Sequence, residues 1–398
     1  MTLRCLEEDH FSRKTTCEGY PTETYAEQAE VEDTIHELFK AFKRKLDLED
    51  DIPKLNREKH LSFLNKGTEN LGPTYSCLDS SRPWLVYWIL NSFQLLSYEI
   101  PEALGDKISD FLGRCQSETG GFGGGPGQLP HLASTYAAVC ALCIIGTERS
   151  LSIINKDTLR NYLMKSHQLD GSFVMHEGGE IDIRGVYCAA VVAKLTNMLS
   201  PEMFDNTGEW LASCQTYEGG FGAMPGLEAH GGYSFCGLAA AILLKREKLI
   251  DTQSFLRWLV LRQMTFEGGF QGRTNKMVDG CYSFWQGGAF PLIHVLLDLS
   301  TPEYKELLFD HRALQEYVLI CCQHRDGGLV DKPGKNRDYY HTCYCLSGLS
   351  IAQNSCNALG SSDPDIVGCS TNLLSAVHPI FNFSYTSVKR ALDFFNQV

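Results

Sequence analysis

The chain of 398 residues is 43% hydrophobic and carries a formal net charge of −13. This length and composition allow one large buried core, and the negative charge argues against nucleic acid as the main partner. The first residues lack the apolar segment of a signal peptide, and no apolar run reaches transmembrane length. We therefore expect a cytoplasmic protein with no transmembrane segment, whose sixteen cysteines are reduced and mostly buried.

The chain begins with a segment that carries few structural signals. Residues 1–25 look like a flexible N-terminal tail. Residues 26–398 are expected to form a single domain, because no break interrupts the repeated pattern that runs through them. Near the end of the chain, residues 354–369 contain Gly-Ser-Ser-Asp-Pro and are expected to form a surface loop.

An aromatic stripe marks the first strong helix signal. Pro83 occupies the first turn of this helix, and Trp84, Tyr87 and Trp88 follow at spacings that place them on one face. Such a stripe belongs more often to a core than to a ligand pocket. Both interpretations stay open at this point.

A unit of about 50 residues then repeats five times. Each unit contains a Gln, a tight glycine turn with Phe or Leu, and a Tyr that opens an apolar stretch. The Gln anchors are Gln116, Gln168, Gln215, Gln263 and Gln323. The turn residues are Phe122, Phe173, Phe221, Phe270 and Leu329, and the tyrosines are Tyr136, Tyr187, Tyr233, Tyr282 and Tyr344. The gaps from turn residue to Tyr are 14, 14, 12, 12 and 15 residues, which predicts a repeat architecture.

Each unit is predicted to form two helices. The segment before the Gln is amphipathic, with helix starts such as Ser200-Pro-Glu and Thr301-Pro-Glu. The segment after the Tyr is apolar nearly all round, as expected of a helix buried on most faces. Including a divergent leading pair, the pattern predicts an all-α fold, an α/α barrel (toroid) of about six helical-hairpin repeats.

Aligning the units on their tyrosines suggests one functional position per repeat. Three residues before each Tyr stand Ala133, Arg184, His230, Asp279 and His341. Four of these five side chains are charged, titratable or able to bind a metal. One rim of the fold is therefore expected to carry chemistry.

The strongest site hypothesis is a zinc site made by Asp279, Cys281 and His341. Asp279 and Cys281 can share a metal only where the chain is not yet regular helix, and Gly280 between them supplies an irregular entry. A carboxylate, a thiolate and an imidazole with a fourth position open are typical of a catalytic zinc site.

A second hypothesis is an anion site. His230, Arg273, Lys276 and Arg184, with the hydroxyl of Tyr282, are expected on the same rim and would suit a diphosphate. For a single Lys or Arg, scattered surface charge remains the simpler interpretation. Asp331 in Asp-Lys-Pro-Gly-Lys is either a magnesium ligand or an ordinary turn residue.

The chain closely resembles the β subunits of protein prenyltransferases. The resemblance covers nearly everything from about Tyr25. Its most specific motifs are Ser81-Arg-Pro-Trp-Leu, Pro225-Gly-Leu-Glu-Ala-His-Gly-Gly-Tyr, Gln271-Gly-Arg-Thr-Asn-Lys-Met-Val-Asp-Gly-Cys-Tyr-Ser-Phe-Trp and Asp331-Lys-Pro-Gly-Lys with His341-Thr-Cys-Tyr-Cys. The family fold is an α/α barrel, in agreement with the architecture predicted from the repeats.

The resemblance implies an enzyme and assigns roles to individual residues. It implies zinc at Asp279, Cys281 and His341, and diphosphate binding by His230, Arg273, Lys276 and Tyr282. The implied isoprenoid channel consists of Trp84, Tyr136, Arg184, Tyr187, Gly232, Tyr233, Cys236 and Trp285. The implied peptide pocket consists of Trp84, Trp88, Arg184 and Tyr340. Magnesium at Asp331 is expected from the residue type alone.

The implied reaction is transfer of farnesyl from farnesyl diphosphate to the cysteine of C-terminal Cys-a-a-X sequences, by a zinc-bound thiolate. The implied partners are a separate α subunit, in a heterodimer, and Cys-a-a-X proteins such as small GTPases. Geranylgeranyl transfer of type I is the alternative within the family, and a non-catalytic α/α scaffold is a weaker one. The motifs Asp-x-Asp-Asp of terpene cyclases and Cys-Gly-Glu-Gln of thioester proteins do not occur.

Overall fold

The computed structural model describes residues 3–4, 7, 10–14, 22–49, 52–297, 306–356 and 363–397. Within these ranges the regular structure is helical, and β-type pairing is limited to isolated bridges. No helix among them combines the length and apolar character needed to span a bilayer. The α-helices are α1 Glu23–Glu49, α2 Arg57–Glu69, α3 Arg82–Leu95, α4 Glu102–Cys115, α5 Leu132–Ile145, α6 Glu148–Ser152, α7 Lys156–Ser166, α8 Ile183–Leu195, α9 Thr207–Ser213, α10 Gly231–Leu243, α11 Thr252–Val260, α12 Tyr282–Trp285, α13 Ala289–Leu296, α14 His311–Glu316, α15 Tyr339–Gln353 and α16 Tyr385–Gln397.

The described residues group into two compact units. One comprises the chain up to residue 63 together with 252–376, and its helix contacts include α12 with α15 and α14 with α15. The other comprises residues 64–251 with 377–398, where α3, α5, α8 and α10 contact one another in chain order and α16 lies against α5 and α8. The expectation of a single domain over residues 26–398 stays a prediction.

Buried inner helices alternate with more exposed ones, as the apolar periodicity indicates. In α5, every residue from Ser134 to Ile144 is buried. Its two thiols illustrate the consequence for chemistry, because burial raises the pKa of Cys143 to about 12 and raises that of Cys140 as well. These cysteines are core residues, and thiols of this kind are unreactive at neutral pH.

Some predicted local features take a different form. Within segment 1–25, His10 is 1% exposed and stacks on Phe266 at 5.0 Å between ring centroids, whereas Ser12, Thr22 and Glu23 are exposed. The flexible N-terminal tail stays a prediction. The start at Ser200 gives only the short 3₁₀ helix Glu202–Phe204 before α9. The start at Thr301 and loop residues 357–362 lie outside the described residues. Asp365, also in the 354–369 segment, pairs with His311 and Arg312.

The repeated Gln residues join each turn to the start of the next outer helix. Gln116 exchanges two hydrogen bonds with the backbone of Asn155, through the side-chain oxygen and nitrogen. Gln215 and Asp251 repeat this arrangement, as do Gln263 and Asp310. A primary amide suits the position because it is both donor and acceptor.

The second repeat departs from the predicted anchor. The equivalent of Gln116 is His167, which forms the bridge to Phe173 and contacts the carbonyl of Asp205 at 2.9 Å. Gln168 instead donates to the carbonyl of Ser166. An imidazole offers one nitrogen to this contact, so the second repeat has one bond where the amides make two.

The last Gln bonds to the beginning of the chain. Gln323 accepts from the backbone N–H of Asn56 and donates to the carbonyl of Lys54. Helix α2, which follows directly, therefore takes the place of a next outer helix for the fifth turn. The predicted fold class requires such a contact between the last repeat and the start of the chain.

A constant spacing of nine residues, and not the tyrosine, sets the structural register. Nine residues after each turn residue stands a side chain that accepts a backbone N–H at the entry to the next inner helix. In four repeats this residue is the helix N-cap, and in the fourth repeat Asp279 makes the equivalent bond in the turn before α12. These residues are His131, Asp182, His230, Asp279 and Asp338, bonded to the N–H groups of Ala133, Arg184, Gly232, Cys281 and His341. The tyrosine alignment is wrong in the first, second and last repeats. Ala133, Arg184 and His341 follow the caps by two or three residues.

A buried carboxyl group connects α1 to the fourth turn. The amide of Gln28 donates to Glu267 at 2.7 Å and to Glu32 at 2.9 Å, and each of the two acids is 2% exposed. Burial raises the pKa of Glu267 from 4.5 to about 7, and the Gln28 hydrogen bond only partly offsets this. The folded state therefore holds a proton on Glu267 that the unfolded chain releases.

The raised pKa of Glu267 predicts that the folded state loses stability as pH rises. The contribution of Glu267 is fully present below pH 4.5 and is lost as pH rises through about 7, by about 3 kcal/mol. Glu267→Gln keeps an oxygen that accepts from Gln28 but cannot ionise. We expect the free energy of unfolding, measured by urea denaturation, to fall less between pH 5 and 8 in this variant. Equal pH dependence in both proteins would contradict the prediction.

Candidate metal and anion site

Asp279, Cys281 and His341 lie together. One ligand atom from each residue falls within 4.8 Å of the others. The Nε2 atom of His341 is 3.4 Å from Oδ1 of Asp279, and Cys281 is 3% exposed. The structure thus brings together the three residues that the sequence predicts, with three different donor types.

The local backbone explains how Asp279 and Cys281 can share one side. Helix α12 begins only at Tyr282, so neither residue lies within regular helix. The N–H of Gly280 donates to the carbonyl of Asp331 at 2.6 Å. A Cβ on Gly280 would lie 2.6 Å from Sγ of Cys345 and 2.8 Å from the carbonyl oxygen of Val330. Gly280 is needed because the next turn approaches its backbone closely.

The orientation of His341 is set by Asp338, which the sequence analysis did not select. Oδ2 of Asp338 is 2.7 Å from Nδ1 of His341, while its other oxygen caps α15. The Nδ1–H therefore donates to Asp338, and Nε2 faces Asp279. A carboxylate that orients a ligand histidine in this way is typical of metal sites. The nine-residue spacing from Leu329 is the sequence signal that identifies Asp338.

The imidazole of His341, the carboxyl of Asp279 and the thiol of Cys281 shift one another's pKa values. Burial lowers the pKa of His341, but hydrogen bonds to Asp279 and Asp338 outweigh it and raise the pKa to about 10. Burial raises the pKa of Asp279, and the hydrogen bond and charge of His341 bring it below 3.8. Burial and the charge of Asp279 raise the pKa of the Cys281 thiol. A bound cation would replace the shared protons and favour the thiolate.

This donor set fits zinc. Sulfur, imidazole nitrogen and carboxylate oxygen are the ligands zinc uses. The Oδ1 atom of Asp279 accepts the N–H of Cys281 at 2.8 Å, which leaves its second oxygen for a metal.

A second cluster, His131, His176 and Glu180, is close enough for a metal but has the wrong proton arrangement. Nδ1 of His131 accepts the N–H of Ala133 at 3.1 Å, so the neutral ring carries its proton on Nε2. That Nε2 faces Glu180 at 4.0 Å. A metal there would require a lone pair in place of the proton and the loss of the helix cap. In the first cluster the ligand histidine, His341, does not accept a cap bond, so the two clusters differ in this although their spacing is similar.

The predicted basic residues Arg273 and Lys276 lie on a polar loop directly before the metal cluster. Lys276 is exposed and Arg273 half-buried. The backbone N–H of Lys276 donates to Oε1 of Gln271, and that of Asp279 donates to the carbonyl of Phe270. The loop is therefore a short excursion between the fourth turn and the cluster.

His230 and Arg184 belong to the other compact unit. Nδ1 of His230 accepts the N–H of Gly232, so the neutral ring presents Nε2–H as a fixed donor. Arg184 is bound through two hydrogen bonds to Asp182, which is 5% exposed, and these bonds raise the pKa of Arg184. Its charge is largely compensated, so Arg184 is a weaker anion ligand than the sequence suggests.

Aromatic side chains form a continuous row in the second unit. Centroid distances are 5.5 Å from Trp84 to Tyr136, 5.4 Å from Tyr136 to Tyr187 and 5.6 Å from Tyr187 to Phe235. Trp88 lies 5.6 Å from Trp84. Trp84 and Trp88 keep partly exposed faces, whereas Tyr87 is fully buried as core. Tyr233 and the buried Cys236 follow on α10 after Gly232.

The tyrosine hydroxyl groups of this row bind backbone carbonyls of residues 380–381. Tyr187 donates to the carbonyl of Ile380 at 2.7 Å, and the neighbouring core residue Tyr87 donates to that of Asn382 at 2.8 Å. Tyr136 reaches the carbonyl of Phe381 at 3.4 Å. The row thus presents ring carbon elsewhere, as a hydrocarbon chain requires.

Tyr340 connects the metal cluster to a further aromatic group in the first unit. Its ring centroid lies 5.0 Å from that of His341, and its hydroxyl accepts from Nε1 of Trp285 at 3.0 Å. Tyr344, which the sequence analysis treated only as a repeat marker, packs against Trp285 in a tilted arrangement, with 4.5 Å between ring centroids.

Asp331 is the weakest of the predicted ligands. Burial and the charge of Asp279 raise its pKa, and its Oδ1 pairs with the ammonium of Lys332. One carboxylate engaged with a lysine fits a magnesium ion only if substrate phosphates supply further oxygens. Magnesium at Asp331 stays a prediction.

Comparison with known proteins identifies the class. Residues 55–383 match the family model described as prenyltransferase alpha-alpha toroid domain. A protein farnesyltransferase subunit beta from Pisum sativum is 44% identical over 376 residues, which cover 80% of this chain and 90% of the relative. Its counterpart from Schizosaccharomyces pombe is 38% identical, over 85% of this chain and 90% of the relative.

One solved structure shows the same fold. The Candida albicans protein geranylgeranyltransferase-I complexed with GGPP matches with a TM-score of 0.70 and 24% identity, over 85% of this chain and 98% of that one. The chain therefore belongs to the prenyltransferase alpha-alpha toroid family. The resemblance to protein prenyltransferase β subunits, the all-α toroid fold class and the assignment as an enzyme are confirmed.

The cluster predicts one tightly bound zinc ion per chain. Cys281→Ala removes the thiolate donor and should abolish most zinc retention after dialysis, with the helical circular dichroism unchanged. Cys345→Ala is the matched control, because this buried thiol lies next to Gly280 but outside the cluster. Metal analysis should find zinc in the control at the level of the unmodified protein. Full zinc occupancy in Cys281→Ala would overturn the assignment.

Proposed function

We propose that this chain is the catalytic β subunit of a protein farnesyltransferase. The observation that carries the proposal is the cluster of Asp279, Cys281 and His341, directly after a loop with two cationic side chains. Support also comes from relatives named protein farnesyltransferase subunit beta at 44% and 38% identity. The proposed reaction joins the farnesyl group of farnesyl diphosphate to the cysteine of a C-terminal Cys-a-a-X sequence.

The chain's own residues prepare the thiol for substitution. When bound, zinc lowers the pKa of a substrate thiol so that thiolate is available at neutral pH. Asp279, Cys281 and His341 would hold the metal, and Asp338 fixes the ring of His341 for that purpose. No protein nucleophile is required, because the substrate thiolate displaces the diphosphate directly and the buried Cys281 thiol serves as a metal ligand.

The leaving diphosphate is assigned to His230, Arg273, Lys276 and Tyr282. Negative charge accumulates on the leaving group during substitution, so fixed donors and cations lower the barrier. His230 offers an Nε2–H whose direction is set by the helix cap. Arg273 and Lys276 supply full charges, and Tyr282 supplies a hydroxyl at the first residue of α12.

The lipid and peptide are assigned to the aromatic surfaces. The farnesyl chain would lie against the row from Trp84 to Phe235, together with Trp285, Cys236, Gly232, Tyr233 and one side of Arg184. The aliphatic residues of Cys-a-a-X would contact Trp84, Trp88 and Tyr340. Rings bind such chains with little loss of conformational entropy.

The proposal includes a partner and a location. The relatives are named as β subunits, and we infer an α subunit that completes the enzyme as a heterodimer with a large interface. The proposed compartment is the cytoplasm, where Cys-a-a-X proteins such as small GTPases are made.

Transfer assays with the co-expressed α subunit test this function. The complex should attach farnesyl to a Cys-a-a-X peptide and use geranylgeranyl diphosphate much less well, while the isolated chain should show little transfer. A relative named geranylgeranyl transferase type-1 subunit beta is 37% identical over 235 residues, so both lipids must be compared. Preference for the longer lipid would replace the farnesyl assignment with the alternative. Full activity of the isolated chain would refute the heterodimer.

The aromatic row predicts how lipid length is selected. Trp84 contacts Tyr136 at one end of the row, and removing its indole gives space for one more isoprene unit. Trp84→Thr should therefore raise kcat/KM for geranylgeranyl diphosphate relative to farnesyl diphosphate by about tenfold or more. Trp88→Thr, one turn along α3, is the control and should mainly raise the KM of the peptide. An unchanged lipid ratio in Trp84→Thr would contradict this role.

A further inference from the structure

The basic loop of residues 271–276 is held by groups outside the predicted site. The cationic side chains of Arg273 and Lys276 extend from a segment without regular secondary structure. Such a segment would have to be ordered each time an anion bound unless the fold fixed it in advance. Two buried polar side chains provide that fixation.

Arg262 contacts the loop from the end of the outer helix. It is 6% exposed, and its Nη1 donates to the hydroxyl of Thr274 at 2.7 Å. Its Nε donates to the carbonyl of Trp258 at 3.3 Å, and its guanidinium lies over the Trp258 ring at 5.4 Å. The carbonyl of Arg262 also accepts the N–H of Gln271. A buried guanidinium held on several sides is a rigid support.

Gln286 supports the beginning of the loop from the other side. It is fully buried, and its Nε2 donates to the carbonyls of Gln271 at 3.2 Å and Gly272 at 3.4 Å. The ring of Tyr282 lies against the same backbone, because a Cβ on Gly272 would be 2.1 Å from a ring carbon. The loop is therefore bonded at its first two residues and again at Thr274.

We propose that Arg262, acting through Thr274, and Gln286, acting on the loop carbonyls, are positioning residues that preorganise Arg273 and Lys276 for a diphosphate. This inference rests on the proposed function of the loop. Thr274 stands directly after Arg273 and two residues before Lys276, so its hydroxyl fixes the part of the loop that carries both charges. A displacement of about 1 Å is enough to lower a rate substantially.

Thr274 offers a clean test because its side chain is exposed and its replacement leaves the core intact. Thr274→Val keeps the shape but removes the acceptor for Arg262, while Thr274→Ser keeps the hydroxyl. Both are prepared in the complex with the α subunit. The readouts are inhibition by inorganic diphosphate, the single-turnover rate with farnesyl diphosphate, and the peptide KM.

We expect Thr274→Val to weaken inhibition by inorganic diphosphate about tenfold and to slow the single turnover, with the peptide KM unchanged. Thr274→Ser should behave as the unmodified enzyme. In an Arg273→Gln background the Val substitution should have less effect, because it acts through the loop charges. A purely structural role would not give this selective and non-additive pattern. Equal behaviour of Val and Ser would overturn the inference.

Arg273→Gln and Lys276→Gln separate this inference from the function on which it rests. If they weaken diphosphate inhibition and Thr274→Val does not, the positioning role alone is wrong. If neither charge removal has an effect, the loop is not the diphosphate site, and both the assignment and the inference are overturned.

Discussion

The hydrogen bond that a side chain accepts at the entry to the inner helix of each of the five repeats is the constraint on which the site depends. The chain there has backbone N–H groups without helical partners, and a side chain nine residues after a buried Phe or Leu accepts one of them, as a helix N-cap in four repeats and in the turn before α12 in the other. The turn fixes where that side chain stands, and the cap fixes where it points. Each repeat therefore delivers one oriented polar group to an equivalent place, whatever its chemical type.

The chemistry of each position then depends on which donor or acceptor atoms of this side chain remain after the backbone hydrogen bond is made. A carboxylate uses one oxygen for this bond and keeps another, so Asp279 can accept the N–H of Cys281 and still serve a metal, and Asp338 can cap α15 and orient His341. An imidazole uses its only lone pair, so His131 and His230 become fixed donors through Nε2. The same backbone thus gives a metal cluster in one unit and hydrogen-bond donors in the other.

The sequence predicts more of the fold than of the supporting contacts. The all-α class, the five turns and the cluster of Asp279, Cys281 and His341 follow from spacing because glycine turns and apolar periodicity are local signals. Aligning the repeats on their tyrosines gives the wrong register because these rings have different roles in different repeats. The unequal gaps between turn residue and Tyr reflect this difference. His167 takes the place of the expected Gln168 because the anchor is the residue that pairs with the turn residue, here Phe173, and contacts the start of the next outer helix. Arg262 and Gln286 carry no motif, and only tertiary contacts reveal them.

The most direct test is anomalous X-ray diffraction at the zinc absorption edge, on crystals of the chain with its α subunit. Among the described residues two clusters have metal-compatible spacing, and in the second of them the cap bond of His131 leaves a proton on the Nε2 that would have to bind the metal. One strong peak bonded to Asp279, Cys281 and His341, with none at His131, His176 and Glu180, is the predicted result. A peak at the second cluster would contradict the assignment of a proton to Nε2 of His131. The lack of a peak at Asp279, Cys281 and His341 would contradict the metal site itself.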